Sequence, residues 1–343
     1  MKILSVGWFD KISNTSLHRH NAIEKNYQNV DVVDCSADTT TYYRVVNKLF
    51  NFGLPIKLPD SSSANSKIVN LVTNNQYDLV WIDKGITINK KTLLFIKKVN
   101  PQAKIVSFSP DNMALRHNQS ENYLGCINLY DFHITTKSSF VEAMYELGAP
   151  QVIFVNKTFN SEFHYPRKLS KSEVDRLGAD IGFIGMWEQE RCESILFLVD
   201  NGLRVTVFGD GEWNNYKNYS PNLTIAPSVY SDDYPKALSA FKISLCFLRK
   251  INFDKQTART MEIPACGGFM LAERTDEHLA LFEEGKEAEF FSSDEELLEK
   301  CRYYLNNEEE RKAIVERGIL RCKNSGYSNI ETMKKLIDAI IKT

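Results

Sequence analysis

The chain has 343 residues, 43% apolar and 25% charged, and carries a net charge of −2 from 42 Lys+Arg and 44 Asp+Glu. Its length exceeds one typical core and predicts two domains of ordinary globular composition. The balanced charge argues against a general nucleic-acid binder, and no apolar run is long enough for a secretory h-region or a membrane span. Seven cysteines are scattered without C-x-x-C spacing, several within apolar runs, and read as reduced core thiols of a cytoplasmic protein.

In chain order, residues 2–9 form a short apolar strand that ends in a polar loop with Asp10 and Lys11. A helical pattern starts near Ser16, and 30–34 form a second strand. Residues 39–66 give no single reading: 39–52 fit an amphipathic helix, while Pro55, Pro59 and the serines at 61–63 mark a loop. Regular alternation then follows, with helices at 68–73, 91–99 and 140–147 (closed by Gly148) and strands at 78–82, 103–108, 131–135 and 151–155. Short non-alternating apolar strands separated by helices predict a parallel sheet covered on both faces. Ligands of such sheets lie beyond the carboxyl ends of the strands, which singles out Asp10, Lys11, Lys84, Asp111 and Lys137. Asp111 suits a general base, although an Asp after Pro110 equally suits a turn. His18 and His117 lack metal-ligand spacing.

Residues 156–179 read as a polar connector, after which the pattern restarts and indicates a second α/β domain. Strands fit 180–185, 203–208, 223–225, 242–248 and 288–291, with helices at 190–200, 231–240, 276–282, 292–304, 308–322 and 330–341. Gly209 and Gly211 are followed by Asn214, where a dinucleotide fingerprint would have a third glycine. Arg259 and Glu262 stand three apart, so a helix would place them on one face. Taken alone, the two fit an ordinary surface ion pair as well as a site for a phosphate and a diol. Pro264 limits the length of that helix.

The blocks Gly182-Phe183-Ile184-Gly185 with Arg191, Val207-Phe208-Gly209-Asp210-Gly211-Glu212-Trp213, Ala258-Arg259-Thr260-Met261-Glu262-Ile263-Pro264-Ala265-Cys266-Gly267-Gly268, and Leu281-Phe282-Glu283-Glu284-Gly285 occur in an ordered series. In this the chain resembles glycosyltransferases of the GT-B type, in particular the CgeB-like group. The resemblance implies an α/β fold of two Rossmann-like domains facing a central cleft. The acceptor domain would span 1–165 and the donor domain 166–328, and a helix over 329–343 would cross back to the first domain. It implies a nucleotide-sugar donor held by Gly185, Arg191, Gly209, Asp210, Gly211, Arg259 and Glu262, with Tyr230 stacked on the base. Asp10, Lys11, Lys84, Asp111 and Lys137 would contact a saccharide or glycolipid acceptor. Asp111, Asp254 and Glu262 are the catalytic candidates; Asp254 stands eight positions before Glu262 where related enzymes carry a Glu, one methylene longer.

No D-x-D motif stands in a metal-binding context, so the expected transfer needs no metal and no cofactor besides the nucleotide sugar. The setting implied is cell-surface polysaccharide assembly in the cytoplasm, with no nucleic-acid partner and at most peripheral contact with the inner face of the membrane. Two alternatives share the fold: a catalytically silent nucleotide- or sugar-binding protein and a nucleotide-sugar epimerase.

Overall fold

The apolar runs assemble into two all-parallel sheets. The computed structural model describes residues 1–10, 14–36 and 40–343; the candidate Lys11 lies outside them. The first sheet contains β1 (Lys2–Gly7), β2 (Asn29–Asp34), β3 (Leu79–Asp83), β4 (Lys104–Ser109), β5 (Phe132–Thr135) and β6 (Val152–Phe154), in the order β2-β1-β3-β4-β5-β6. The second contains β7 (Ala179–Ile184), β8 (Val205–Phe208), β9 (Leu223–Ala226), β10 (Phe241–Cys246), β11 (Met270–Glu273) and β12 (Glu289–Phe291), in the order β12-β11-β10-β7-β8-β9. The central strands β3 and β10 are buried along most of their length, as expected of strands covered by helices on both faces.

The strand order reverses next to β1 and β3 in the first sheet and between β7 and β10 in the second. Consecutive βα units wind in opposite directions from such a point, leaving a crevice at the carboxyl ends of the two strands.

The chain divides into two compact units, Met1–Asn156 with Asn329–Thr343, and Lys157–Ser328. The division falls ahead of the 165/166 boundary expected from sequence, because Lys157 N–H donates to Gln256 Oε1 at 2.8 Å and Phe159 pairs with Ser328. Within the connector, Ser170 and Glu173 form a capping box that starts the helix Lys171–Leu177. In the first unit, the helix expected over 68–73 runs from Ala64 to Asn74. It starts early because the Asp60 carboxylate accepts from Ala64 N–H (2.9 Å) and Asn65 N–H (2.8 Å). The helix Asn329–Ile341 packs on the helix Thr15–Asn26: Met333, Ile337 and Ile340 share a core with Ile3, Ile23 and Trp81, and Asn26 Nδ2 donates to Ile330 O at 2.8 Å. Among the described residues no helix is long and apolar enough to cross a membrane.

His133 on β5 is almost fully buried; its Nδ1 lies 3.1 Å from the Tyr123 hydroxyl and its Nε2 2.8 Å from the Ile127 carbonyl. The neutral ring satisfies both by donating from Nε2 and accepting at Nδ1. Burial pushes its pKa down to about 4, from 6.5 in the unfolded chain. Between those values the unfolded state binds more protons, so stability rises with pH through this window and is complete above it. Urea unfolding at pH 7 and pH 5 should therefore differ by about 2 kcal/mol from this group alone, and His133→Phe should flatten that slope.

Candidate functional site

In the second unit, the crevice between β7 and β10 is crossed by Arg191, whose position near the start of the helix Gln189–Asp200 points it back over the sheet edge. Its Nε donates to Leu248 O (3.3 Å), just past β10, and its Nη1 to Met186 O (3.2 Å), just past β7. Arg191 is 3% exposed, and among the described residues its Nη2 has no hydrogen-bond partner. Burial lowers its pKa to about 10; Glu188 opposes that shift, while the nearby charges of Arg259 and Arg249 reinforce it.

Arg259 enters from the helix Ala258–Ala265. Its guanidinium lies against Gly185: a Cβ built there would stand 3.1 Å from Nη2 and 2.8 Å from the Phe183 ring. Only a glycine leaves this space open. The Arg259 Nε is buried without a partner among the described residues, and the guanidinium carbons of Arg191 and Arg259 each lie 5.9 Å from the centre of the Phe183 ring. Two cations thus share one apolar platform, with Glu188 Oε1 3.7 Å from Arg191 Nη1 and 2.7 Å from Arg249 Nε. A cavity of about 270 Å³ adjoins Glu188 and Arg191, lined also by Phe247, Lys250, Glu273 and Arg274; Arg259 is not in its wall.

Glu262 does not pair with Arg259. Its Oε2 accepts from the Tyr234 hydroxyl at 2.5 Å, and its Oε1 lies 3.6 Å from His164 Nε2. His164 Nδ1 accepts from Asn160 N–H at 3.1 Å, so the ring of neutral His164 carries its proton on Nε2, facing the carboxylate. Glu262 and His164 are buried and Tyr234 is half-buried; burial of its hydroxyl, followed by the Glu262 charge, raises the Tyr234 pKa well above its usual value. Neither Tyr234 nor His164 stood out in the sequence, since a tyrosine in a helical start and a histidine in a polar connector acquire meaning only through distant Glu262. Pro264 falls in the last turn of its helix, where it forgoes the N–H bond to the carbonyl four residues back, and the helix ends one residue later at Ala265.

The remaining donor candidates occupy strand ends. Gly209 is packed tightly, since a Cβ there would stand 2.7 Å from Gly185 O and 2.5 Å from the Trp213 ring, and Trp213 Nε1 donates to that same carbonyl at 3.0 Å. The close approach at Gly209 is therefore to protein. Asp210 and Gly211 (φ +66°) are exposed at the start of the 3-10 turn Gly211–Tyr216, and Tyr230 is exposed after β9. Asp254 follows the left-handed Phe253 (φ +51°), and its N–H donates to Arg249 O at 3.2 Å.

In the first unit, the crevice at β1 and β3 opens into a cavity of about 480 Å³ lined by Trp8, Ser16, Tyr43, Asn47, Lys84 and Asp111. Lys84 Nζ lies 2.5 Å from the Asp111 carboxylate, and buried Arg19 grips Asp83, also in the cavity wall, in a bidentate pair at 2.6 and 3.0 Å. Lys84 and Asp111 are thus brought together, whereas Asp10 accepts from Asn14 Nδ2 at 3.0 Å and Lys137 is buried; neither lines this cavity. Arg19 was missed because nothing in its own segment announces Asp83. Among the described residues no group of three or more His, Cys, Asp or Glu gathers to hold a metal ion.

Residues 191–338 match the family described as glycosyl transferase-like. Comparison with curated protein sequences finds no match. Similar solved structures include HepE of Anabaena in complex with UDP and glucose, with a TM-score of 0.65 at 12% identity over 100% of both chains. The sucrose-phosphate synthase of Thermosynechococcus elongatus superposes with a TM-score of 0.64 at 10% identity, again over 100% of both chains. A glycosyltransferase from Rickettsia africae ESF-5 gives 0.63 at 11% identity over 99% of this chain and 98% of that one. The fold is GT-B, as the motifs implied.

Replacing Tyr234 by Phe strands one oxygen of a buried carboxylate. Removing a hydrogen bond to a charged group costs about 1.5–3 kcal/mol, so Tyr234→Phe should lower the urea midpoint with an unchanged m-value; a midpoint equal to the parent's would mean that Glu262 is not held as described.

Proposed function

We propose that this GT-B chain, a glycosyltransferase by its glycosyl transferase-like domain, moves a sugar from a nucleotide-sugar donor to a saccharide or glycolipid acceptor. The observation that carries the reading is the pair of guanidinium groups at the β7/β10 crevice, each with a buried N–H that lacks a partner among the described residues. Orphaned buried donors on a cation are costly unless an anion completes them. The diphosphate of an activated sugar supplies that anion.

Breaking the anomeric C–O bond creates an oxocarbenium-like sugar, and the leaving phosphate oxygen gains negative charge. Arg191 and Arg259, already oriented by Leu248 O, Met186 O and Gly185, stabilise that charge without reorganising. In this reading they do the work a divalent cation would otherwise do, so transfer is metal-independent. Gly185, Gly209, Asp210 and Gly211 border the donor, and the exposed Tyr230 ring is a platform for its base. Glu262 contacts the ribose through Oε1, the oxygen that Tyr234 does not occupy, and Asp254 lies on the sugar side. The acceptor binds in the first unit near Lys84 and Asp111, where Asp111 is the candidate base. Asp10, Lys11 and Lys137 border the acceptor. The motif resemblance supports a place in cell-surface polysaccharide assembly in the cytoplasm.

HepE, which shares the fold, is seen with UDP and with UDP-glucose, so uridine nucleotides are the first to test. The correct donor should raise the melting temperature by mass action. Arg259→Ala should weaken its binding roughly 10- to 100-fold, in line with about 1.5–3 kcal/mol for hydrogen bonds to charged groups. EDTA should leave turnover unchanged; loss of transfer on chelation, restored by a divalent cation, would overturn metal independence.

One observation favours the silent-binding alternative: Glu262 already has protein partners at both oxygens. Nucleotide binding without hydrolysis or transfer over a panel of acceptors would establish that alternative, and release of an epimerised sugar would establish the epimerase.

A further inference from the structure

The helix Thr41–Asn51 starts where Thr40 Oγ1 accepts from Tyr43 N–H at 3.1 Å, and Phe50 anchors it in the core of the first unit. Tyr43, Asn47 and Asn51 follow one another at intervals of four, so they form a row about 12 Å long on one face. All three line the cavity of about 480 Å³, together with Trp8, the first residue beyond β1.

The charged and the neutral groups of this wall differ in one respect. Arg19 is bound to Asp83 and Lys84 to Asp111, so each cation already has its carboxylate. The Trp8 indole N–H, the Tyr43 hydroxyl and the Asn47 and Asn51 amides have no hydrogen-bond partner among the described residues. The indole donates only, whereas the hydroxyl and the amides both donate and accept. A sugar hydroxyl also does both, so a ring with hydroxyls around it answers all four groups. A phosphate or carboxylate only accepts, and it would have to displace a carboxylate from its cation. Trp8 and Tyr43 add aromatic surface for the apolar C–H face of a sugar, and the volume lies within the roughly 300–1,000 Å³ usual for small-molecule sites. A nucleobase would also stack, but its polar groups lie on one short edge and not along a row of about 12 Å.

We propose that the first-unit cavity is a subsite for an uncharged saccharide, with Trp8 and Tyr43 against its apolar face and Asn47 and Asn51 on its hydroxyls. The assignment rests on the reading that the first unit takes the acceptor, and it narrows that reading: the end of the acceptor that enters is a neutral sugar, neither phosphorylated nor acidic. Specificity for that sugar then belongs to the row on the Thr41–Asn51 helix, beside the charged pair Lys84 and Asp111.

Saturation-transfer NMR on the full chain without donor tests the proposal, with the methyl glycosides of glucose, galactose and mannose, maltose and cellobiose as probes. At least one neutral sugar should bind, with an affinity unchanged as salt is raised from about 50 to about 500 mM, because no charge is there to be screened. Glucose 6-phosphate and glucuronic acid should bind more weakly than methyl glucoside. Tyr43→Phe and Asn47→Ala should each weaken binding roughly 3- to 10-fold, the loss of one neutral hydrogen bond, and Asn47→Ala/Asn51→Ala roughly 10- to 100-fold. Cooperative urea unfolding of each variant verifies that it folds. Absence of binding by every neutral sugar, tighter binding of glucose 6-phosphate or of uridine, or an unchanged affinity in Asn47→Ala/Asn51→Ala would each overturn the proposal. Turnover with a nucleotide sugar reports separately on the acceptor reading. Sugar binding that depends on Asn47 and Asn51 but leads to no transfer would overturn that reading and leave the subsite standing. Transfer with an unchanged acceptor KM in Asn47→Ala/Asn51→Ala would overturn the subsite and leave the transferase standing.

Discussion

Two guanidinium groups beside one phenylalanine ring set the electrostatics of the second unit's crevice. Like charges in a poorly solvated place repel, and burial, reinforced by the charges of Arg259 and Arg249, pulls Arg191 down to about 10. The arrangement persists because the scaffold over-determines it. Arg191 is tied to carbonyls at the ends of two different strands, and Arg259 rests in the space left by the missing Cβ of Gly185. Those carbonyls come together only where the strand order reverses. Sheet topology therefore sets the position of the charge, and the glycine sets how close the second cation can come.

Glu262 shows the complementary design. A carboxylate at this depth needs donors, and it takes them from Tyr234 and His164, which lie on separate elements of the same unit. That fixes its direction before any ligand arrives and leaves Oε1 as the freer acceptor. The i,i+3 spacing to Arg259 brought the two residues onto one helix, but the side chains diverge to different partners.

The legibility of the chain follows the range of the interactions. Strands were readable because each is a continuous apolar run, and the second domain was readable because the pattern of 179–208 restarts after a polar stretch. Pro264 correctly limited its helix. The unit boundary was displaced because Lys157 and Phe159 are held by Gln256 and Ser328, partners remote in sequence. The same holds at the sites. Arg191, Gly185 and Arg259 could be picked out from ordered local blocks, whereas Arg19–Asp83 and the Tyr234–Glu262–His164 cluster are assembled only by folding. Gly209 was expected to help hold the donor, and the space a side chain would take there is filled by Trp213 and the Gly185 carbonyl.

The two sheets apply one topological rule and arrive at opposite electrostatics. At the β1/β3 crevice every cation named is matched, Arg19 by Asp83 and Lys84 by Asp111, and aromatic and amide side chains complete the wall. At the β7/β10 crevice Arg191, Arg249 and Arg259 converge while Glu188 is the carboxylate paired with the first two, and N–H groups of Arg191 and Arg259 remain unmatched among the described residues. A balanced, partly aromatic cavity suits an uncharged polar ligand such as a sugar ring, since a phosphate there would have to displace a carboxylate already paired with each cation. An excess of buried cation suits a ligand that carries its own negative charge. The two crevices thus differ in the charge of the ligand each can accept, according to which of them has neutralised its own charges.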